Sequence, residues 1–596
     1  MKGCGPVRTG NGKWTFSVWA PELKTVSLHI ITPYERIFPM RKDNDGYFVF
    51  ECDGVSEGTC YYYQPDDDLN IPDPASAFQP NGVHDRSCVV DHSLFKWTDQ
   101  AWRGKPLKDL IIYELHVGTF TDEGTFEAII PRLDDLVDVG INALELMPVA
   151  QFPGKRNWGY DGVFPYAVQN SYGGPNGLKK LVDACHNKGI AVILDVVYNH
   201  LGPEGNYLPK FGPYFSKAHH VPWGDCINFD QQWADGVRDY FINNIDHWVV
   251  NYHIDGLRLD AIHAIFDSSP VHILDAFNIR AKELQDRVGR NIFLIAESDL
   301  NDPRVVKPNS VGGYGFSAQW LDDFHHALYV LTHPDGKKRY YDFGDIHQLA
   351  KAFKDGFVHS GERVAFRKRK YGASSAGISG GKFIVFAQNH DQVGNRVLGE
   401  RLSALVGKEQ LKISAAAILL SPYIPMLFMG EEYAEEAPFM YFVDHSDKDL
   451  IEAVRNGRRQ EFKDFAGEGE PKDAEAEETF LECKLKWITR SKGIHGEILE
   501  WYKSLIRLRR DRKVFHDLDK RNIHVSVIGS KCIAIYRYLE DLSERAYVFI
   551  NFSSEDVKYR VDEKDLRDSD ITISSLSASV HVFSDVLPYV QISSLS

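Results

Sequence analysis

Short runs of apolar residues recur along the middle of the chain, from about residue 105 to about residue 515. Helical patterns such as GLKKLVDACHNKG and GVRDYFINNIDHWVVNYH lie between several of them. Apolar strands that alternate with helices are typical of a parallel sheet buried on both faces, and eight such units make a (β/α)8 barrel. The eight runs are IIYELHV (111–117), ALELMPV (143–149), AVILDVV (191–197), GLRLDAI (256–262), IFLIAES (292–298), AQWLDDF (318–324), FIVFAQN (383–389) and IPMLFMG (424–430).

The two ends of the chain carry short β-type runs separated by turn residues. TFSVWAP, TVSLHII, YFVFEC and CYYYQ lie near the start, and HVSVIGSKCIAIYRY and RAYVFINF lie near the end. Short strands with closely spaced turns predict β-sandwich or antiparallel β domains. We therefore expect an N-terminal β-sandwich (1–100), a (β/α)8 TIM barrel with insertions (101–515) and a C-terminal antiparallel β domain (516–596), an α/β fold overall.

The fourth apolar run contains a charged pair, Arg258 and Asp260, within DGLRLDAIHAI. Alternate residues of a strand point to one face, so both side chains are expected to point into the barrel near its carboxyl-terminal mouth. A neighbouring cation favours the ionised form of a carboxylate, which is the form that a nucleophile needs. For these two residues alone, a closed structural ion pair is the alternative.

Three further runs end in polar side chains. IFLIAES ends near Glu297, QNHDQVGNR places His390 and Asp391 after the seventh run, and DVVYNH places Asp195 and His200 after the third. The carboxyl ends of barrel strands meet at one rim, where barrel active sites lie. The sequence therefore predicts that several carboxylates converge there.

Two carboxylates that flank a bond are the groups used in glycoside hydrolysis. The carboxylate next to Arg258, Asp260, is the candidate for attack on the anomeric carbon. Glu297 has no basic neighbour in the sequence and is the better proton donor, because burial can keep such a carboxyl group protonated. Asp391 would add negative charge to stabilise an oxocarbenium-like transition state.

Charge and composition narrow the ligand class. The formal net charge of −16 argues against nucleic acid and against an anionic membrane, because both need clustered Lys and Arg, and it suits a neutral substrate. The 11 Trp and 28 Tyr favour sugar stacking, although a large aromatic core would need them too.

Cysteine usage and apolar content bear on the compartment. The 8 cysteines include no CxxC, so no zinc or redox motif is indicated. The start lacks a signal peptide, and prolines break AAAILLSPYIPMLFMG, which is too short to cross a bilayer. We expect a cytoplasmic protein with mostly reduced thiols.

Four motifs in order, DVVYNH, GLRLDAIH, IAES and QNHD, resemble the four sequence regions of the α-amylase family of glycoside hydrolases. The N-terminal part resembles the immunoglobulin-like early-set domain of isoamylases and branching enzymes. The resemblance implies that Asp260 is the nucleophile, Glu297 the general acid/base and Asp391 the transition-state carboxylate. It also implies sugar binding in the cleaved subsite by the side chains Tyr160 (in NWGYDG), His200, Arg258 and His390.

Longer stretches resemble one branch of that family, the maltooligosyltrehalose trehalohydrolases: IAESDLNDPR, QNHDQVGNR and ELMPVAQFPGKRNWGYDGVFPYAVQNSYGGP. This implies retaining hydrolysis of the α-1,4 bond next to the terminal trehalose of maltooligosyltrehalose, with carboxyl groups about 5–5.5 Å apart. It also implies a pathway shared with maltooligosyltrehalose synthase, without a stable complex. One alternative is a glycogen branching enzyme, whose fourth region usually reads more like SHDE; the other is a non-catalytic carbohydrate-binding barrel.

Further sugar contacts are expected around this centre. For the trehalose end we expect Tyr214, Phe215, Trp223, Trp320 and Asp322, with packing of a long loop by its own aromatic residues as the alternative. No cofactor is expected, and no metal either, because no oxygen-rich cluster extends beyond Asp195 and Asn199. The remaining candidates are His263 in an adjoining subsite and Asn389 and Gln392 beside the fourth motif.

Overall fold

A computed structural model describes residues 2–10, 12–66, 69–463, 469–560, 570–584 and 589–594. The N-terminal part contains two four-stranded antiparallel sheets, ordered β1-β2-β6-β5 and β4-β3-β7-β8. The strands are β1 (Gly5–Arg8), β2 (Trp14–Trp19), β3 (Val26–Ile30), β4 (Arg36–Pro39), β5 (Arg41–Lys42), β6 (Tyr47–Cys52), β7 (Cys60–Pro65) and β8 (Ser87–Cys88).

The middle of the chain forms a closed parallel barrel of eight strands, in the order β9-β10-β13-β16-β17-β18-β21-β22. Each of the eight apolar runs contains one strand of this barrel, so the predicted (β/α)8 fold is confirmed. Three hairpins, β11–β12, β14–β15 and β19–β20, lie between barrel strands. The strands are β9 (Ile112–Leu115), β10 (Ala143–Leu146), β11 (Ala150–Gln151), β12 (Phe164–Val168), β13 (Ala191–Val196), β14 (Phe215–Val221), β15 (Gly224–Ile227), β16 (Gly256–Leu259), β17 (Phe293–Ala296), β18 (Ala318–Trp320), β19 (Arg363–Val364), β20 (Arg369–Lys370), β21 (Phe383–Val385) and β22 (Ile424–Phe428).

Helices surround the barrel, and α14 is the longest in the part of the chain that the structure describes. No helix among those residues is long and apolar enough to cross a membrane. The helices are α1 (Val117–Phe120), α2 (Phe126–Ile129), α3 (Leu133–Val139), α4 (Gly174–Asn187), α5 (Ala234–Asp246), α6 (Ile273–Val288), α7 (Asp322–Thr332), α8 (Ile346–Asp355), α9 (His390–Gly394), α10 (Leu402–Leu405), α11 (Lys408–Leu419), α12 (Lys448–Glu461), α13 (Glu477–Glu482), α14 (Gly493–Asp511) and α15 (Lys513–His516).

The C-terminal part is antiparallel, as predicted. It contains a five-stranded sheet, ordered β23-β24-β25-β28-β29, and the pair β26–β27. The strands are β23 (Ile523–Ile528), β24 (Cys532–Tyr538), β25 (Glu544–Asn551), β26 (Val557–Arg560), β27 (Asp570–Ile573), β28 (Ser577–Ser584) and β29 (Val590–Ser593).

The inside of the barrel is apolar toward the amino ends of its strands. Ile112, Ile193, Ile295 and Met426 belong to this interior cluster. The charged side chains of the same strands lie one or more positions further along, toward the carboxyl ends. This division leaves the chemistry at the mouth and lets close packing hold the strands below it.

One disulfide joins neighbouring strands of the N-terminal sheet, between Cys60 and Cys88. The other six cysteines are free thiols. The expectation of mostly reduced thiols therefore agrees with the structure for six of the eight cysteines.

Candidate active site

Arg258 lies at the centre of the barrel mouth and is fully buried. Its Nη1 donates to Asp195 Oδ2 at 2.7 Å and to Asp260 Oδ1 at 2.9 Å. Its Nη2 lies 3.7 Å from Glu297 Oε2. One guanidinium therefore connects carboxylates from three consecutive barrel strands, and the sequence-based expectation that Arg258 contacts Asp260 is confirmed.

Glu297 follows β17 and lies against the turn that carries Asp260. The backbone N–H of Ala261 donates to Glu297 Oε2 at 2.5 Å. Ala261 has a φ of 38°, a left-handed conformation that a non-glycine residue adopts only at a cost. That conformation directs the N–H of the turn at the carboxyl group of Glu297.

The environment of Glu297 suits a proton donor. Burial raises the pKa of Glu297 well above its usual range; Arg258 opposes this shift and Asp260 adds to it. A raised pKa favours the protonated form of the carboxyl group, which is the form that the leaving oxygen of a glycosidic bond requires.

Tyr160 lies over the same centre and is held by hydrogen bonds. Its hydroxyl donates to Asp195 Oδ2 at 2.6 Å and lies 2.8 Å from His390 Nε2. The preceding Gly159 has a φ of 104°, and a Cβ there would lie 2.2 Å from the carbonyl oxygen of Pro148. The turn therefore requires glycine at this position in order to place the Tyr160 ring at the mouth.

The QNHD motif forms the start of α9. Asn389 Oδ1 accepts from the backbone N–H groups of Asp391 and Gln392, and Gln392 Oε1 accepts from the N–H of Asn389. This capping box commits the side-chain oxygens of Asn389 and Gln392 to the helix end, whereas Asn389 Nδ2 has no hydrogen-bond partner among the described residues, so sugar binding by Asn389 and Gln392 stays a prediction. Asp391 itself is 42% exposed at the mouth and lies 3.5 Å from His390 Nε2.

His200 and Asn199 follow the third barrel strand. Asn199 Nδ2 donates to Asp260 Oδ2 at 2.8 Å and to the backbone carbonyl of Asp260 at 2.9 Å, and the side-chain oxygen Oδ1 of Asn199 contacts His200 Nδ1. Burial lowers the pKa of His200. The amide of Asn199 is thus used to position the carboxylate of Asp260, and no cluster of three His, Cys, Asp or Glu side chains suited to a metal ion occurs among the described residues.

Two of the aromatic side chains expected at the trehalose end lie elsewhere. Trp320 is 1% exposed and points into the barrel, where its ring lies 4.2 Å from the guanidinium carbon of Arg258. Tyr214 is buried and packs edge-on against Trp19 of the N-terminal sheet, with ring centroids 5.1 Å apart. Neither ring is available to a sugar, so these two expectations were wrong.

Trp223 and Phe215 belong to the β14–β15 hairpin beside the mouth. Trp223 is 51% exposed and stacks on His200, with ring centroids 5.7 Å apart. Phe215 is partly buried at the start of the hairpin. Only Trp223 of this pair presents a large exposed ring beside the site, and its role as a sugar contact stays a prediction.

Asp322 begins α7 and borders a cavity of about 160 Å³. Burial, together with the negative charges of Asp391 and Asp299, raises the pKa of Asp322 to about 7. Opposite charges line the same cavity, where Arg367 pairs with Asp299. His263 Nε2 lies 4.0 Å from Asp299, so His263 is near this cavity, as the expectation of an adjoining subsite requires.

Sequence reasoning missed two buried glutamates inside the barrel. Glu114 and Glu145 are each 1% exposed and face each other on neighbouring strands. Glu114 accepts from both the backbone N–H and the Nδ1 of His390. The signal was present in IIYELHV and ALELMPV, because each apolar run carries one acidic residue at an alternate, inward position.

Comparison with known proteins first shows the class of protein to which the chain belongs. Residues 89–219 match the catalytic domain of the alpha amylases. A solved structure of a putative alpha amylase from Salmonella typhimurium superposes with a TM-score of 0.89 at 37% identity, covering 97% of this chain and 99% of that one. Barrel and site thus define a glycoside hydrolase of the α-amylase family.

A closer relationship lies within that class. The chain is 48% identical over 540 residues to the malto-oligosyltrehalose trehalohydrolase of Saccharolobus solfataricus, covering 89% of this chain and 92% of that protein. A 1,4-alpha-glucan branching enzyme from Pseudoalteromonas atlantica is 29% identical, covering 58% of this chain and 53% of that protein. The chain belongs to the malto-oligosyltrehalose trehalohydrolase family.

Proposed function

We propose that this chain hydrolyses the α-1,4-glucosidic bond next to the terminal trehalose of maltooligosyltrehalose and releases trehalose. The observation that carries the proposal is the single buried guanidinium of Arg258, which contacts both Asp260 and Glu297. The 48% identity to the malto-oligosyltrehalose trehalohydrolase of Saccharolobus solfataricus supports the choice of substrate.

The two carboxyl groups differ in the way that a retaining mechanism needs. Asp260 accepts from Arg258 and Asn199, so its oxygens are held in place for attack on the anomeric carbon. Glu297, whose pKa burial raises, gives its proton to the leaving oxygen and later takes one from water. Asp391, exposed at the mouth, faces the positive charge that develops on the sugar ring.

The contacts of the sugar fall on two sides of these carboxylates. Tyr160, His200 and His390 surround the ring whose bond is cut. We assign the trehalose unit to the cavity beside Asp322, because this polar cavity shares Asp322 with the site and borders Asp299. His263 adjoins this side, and Trp223 flanks the mouth from the hairpin.

Three expectations extend the proposal to the cell and to the whole chain. The enzyme acts in the cytoplasm, in a trehalose-producing pathway after maltooligosyltrehalose synthase, without a stable complex between the two enzymes. The three domains divide at about residues 100 and 515. No metal is required, since Asn199 directs its amide nitrogen at Asp260; activity should therefore survive exhaustive EDTA treatment.

The nucleophile is tested by Asp260→Asn. Loss of the negative charge removes the attacking group, so we expect trehalose release from maltooligosyltrehalose to fall by roughly 10⁴-fold or more. Asp302→Asn is the matched control, because Asp302 pairs with Arg304 at the surface and should leave the rate unchanged. Unaltered hydrolysis by Asp260→Asn would contradict the assignment and favour a non-catalytic barrel.

Trehalose recognition is tested by Trp223→Ala. An exposed ring beside the mouth should contribute to binding of maltooligosyltrehalose more than of plain maltooligosaccharide. We expect kcat/KM to fall about tenfold on the first substrate and by less than threefold on the second, the larger loss corresponding to roughly 1.4 kcal/mol. Equal losses on both substrates would remove Trp223 from the recognition surface.

A further inference from the structure

The imidazole of His390 is held by a carboxylate that lies inside the barrel, deeper than the mouth. Glu114 lies on β9, inside the barrel, and is 1% exposed. Its Oε2 accepts from the backbone N–H of His390 at 3.0 Å, and its Oε1 lies 2.5 Å from His390 Nδ1. The backbone N–H and the Nδ1 of His390 thus both contact one carboxylate, which fixes the position of the backbone and the plane of the ring.

The other ring nitrogen of His390, Nε2, determines which hydrogen bond the Tyr160 hydroxyl group donates. His390 Nε2 lies 2.8 Å from the Tyr160 oxygen, and that hydroxyl can donate only one hydrogen. When Nε2 carries a proton, it donates to Tyr160, and Tyr160 donates to Asp195 at 2.6 Å. When Nε2 is bare, it competes with Asp195 for the hydrogen of Tyr160.

We propose that Glu114 is a positioning residue that keeps the His390 ring doubly protonated and thereby directs the Tyr160 hydroxyl at Asp195 beneath the bound sugar. The inference rests on the proposed function, in which Tyr160 and His390 surround the ring whose bond is cut. The hydrogen-bonded chain runs from Glu114 through His390, Tyr160 and Asp195 to Arg258, which holds Asp260.

The charges around His390 agree with this role. Burial would lower the pKa of His390, but Asp391 and Glu114 outweigh burial and raise that pKa to about 9. Because this pKa is raised, the doubly protonated ring persists through neutral pH and is lost as the pH rises toward 9. The titratable and charged groups that face His390 from the surrounding elements are Glu114, His116, Glu145, Tyr160, Asp195, Arg258 and Asp391.

The neighbouring strand supplies a matched control. Glu145 lies opposite Glu114 in the same layer of the barrel and is equally buried. Neither of its carboxyl oxygens has a hydrogen-bond partner among the described residues, and burial raises the pKa of Glu145 well above its usual range. A neutral amide at position 145 therefore replaces a carboxyl group that burial biases toward its neutral form, whereas the same change at position 114 replaces the carboxylate that accepts from His390 twice.

The experiment compares Glu114→Gln and Glu145→Gln with the wild-type protein, measuring kcat/KM for trehalose release from maltooligosyltrehalose between pH 5.5 and pH 8. Without the Glu114 charge the His390 ring should titrate near or below the ordinary value of about 6.5. If only the doubly protonated ring supports catalysis, the ratio of the Glu114→Gln rate to the wild-type rate should then fall by about 30-fold or more between these two pH values. The ratio for Glu145→Gln should stay constant.

A constant ratio for Glu114→Gln, or the same decline for both variants, would overturn the positioning role. The protonation state is also measured directly, by ¹⁵N NMR of histidine-labelled wild-type protein, with His390→Asn to assign the signal. A doubly protonated His390 ring at pH 7.5 supports the proposal, and a neutral ring at that pH contradicts it, whether or not a variant folds. A wild-type protein that releases no trehalose would instead refute the proposed function.

Discussion

At the scale of single residues, the site depends on how one guanidinium divides its contacts. Arg258 bonds Asp195 and Asp260 at hydrogen-bonding distance and leaves Glu297 at 3.7 Å. Two carboxyl groups of the same chemical type thereby acquire different roles, because Asp260 is held as an ionic partner of Arg258 while burial favours the protonated form of Glu297.

The proton donor is tested by Glu297→Gln. General acid catalysis contributes roughly 10²–10⁴-fold, so we expect kcat/KM on maltooligosyltrehalose, which reports cleavage of the glycosidic bond, to fall by about that factor. On an α-maltosyl fluoride, whose leaving group needs no proton, kcat/KM should fall less than tenfold. A variant with equal losses on the two substrates would show that Glu297 does not act as the acid.

Residue-level prediction from the sequence succeeded where a motif and a strand end coincide. The contact between Arg258 and Asp260, and the raised pKa of Glu297, follow from strand alternation and burial. The position of Trp320 could also have been read from alternation, since Ala318 and Trp320 share the inward face of β18. Tyr214 could not, because its partner Trp19 lies in a distant part of the chain.

At the scale of elements, a second buried cluster of charged side chains connects several elements at the amino-terminal end of the barrel strands. His186 of α4 has Nδ1 2.8 Å from Asp99 and Nε2 2.9 Å from Asp255, and its ring is stacked on Trp102. Asp255 also accepts from Arg290 at 3.0 Å. The cluster joins the segment before the barrel to α4 and to the residue that precedes β16.

This cluster predicts a pH-dependent stability. Burial lowers the pKa of His186, but its bonds to Asp255 and Asp99 outweigh this and raise it. A group with a raised pKa contributes its stability fully below its unfolded value and loses it as the pH rises through the folded value. His186→Gln should therefore lower Tm most at pH 6, where we expect the free energy of unfolding to fall by about 3–5 kcal/mol. The loss should become progressively smaller toward pH 9.

The control for this prediction is His253→Gln. His253 bonds the same Asp99 at 2.8 Å but is 30% exposed, so its loss should cost much less. Thermal unfolding followed by circular dichroism at pH 6 and pH 9 measures both variants. A His186→Gln penalty that stays the same or grows with pH would show that the ring is neutral in the folded protein.

The elements themselves were largely predictable and their loops were not. Each barrel strand was foreseen because a strand buried on both faces leaves a continuous apolar run. The β14–β15 hairpin was read as part of a long loop, since its residues carry little alternation. The capping box of α9 was missed because a polar strand end serves equally as a helix cap or as a ligand contact.

At the scale of the whole molecule, the N-terminal sheets and the barrel share one apolar core, which extends from Trp14 to Val582. The mouth is tied to this assembly by Glu204, which follows the third barrel strand and contacts His84, His445 and Ser446. Three distant segments therefore meet at one buried carboxylate beside the cleft. No local sequence pattern predicts such a junction, because each of its residues is ordinary within its own segment.

The central claim is retaining cleavage next to trehalose, and ¹H NMR of fresh products from maltooligosyltrehalose tests it most directly. We predict that free trehalose appears in equal amount with a shortened maltooligosaccharide whose new reducing end is first the α anomer. A first-formed β anomer would contradict the roles of Asp260 and Glu297. Branched glucan without free trehalose would contradict the hydrolase and identify a glucan-transferring enzyme.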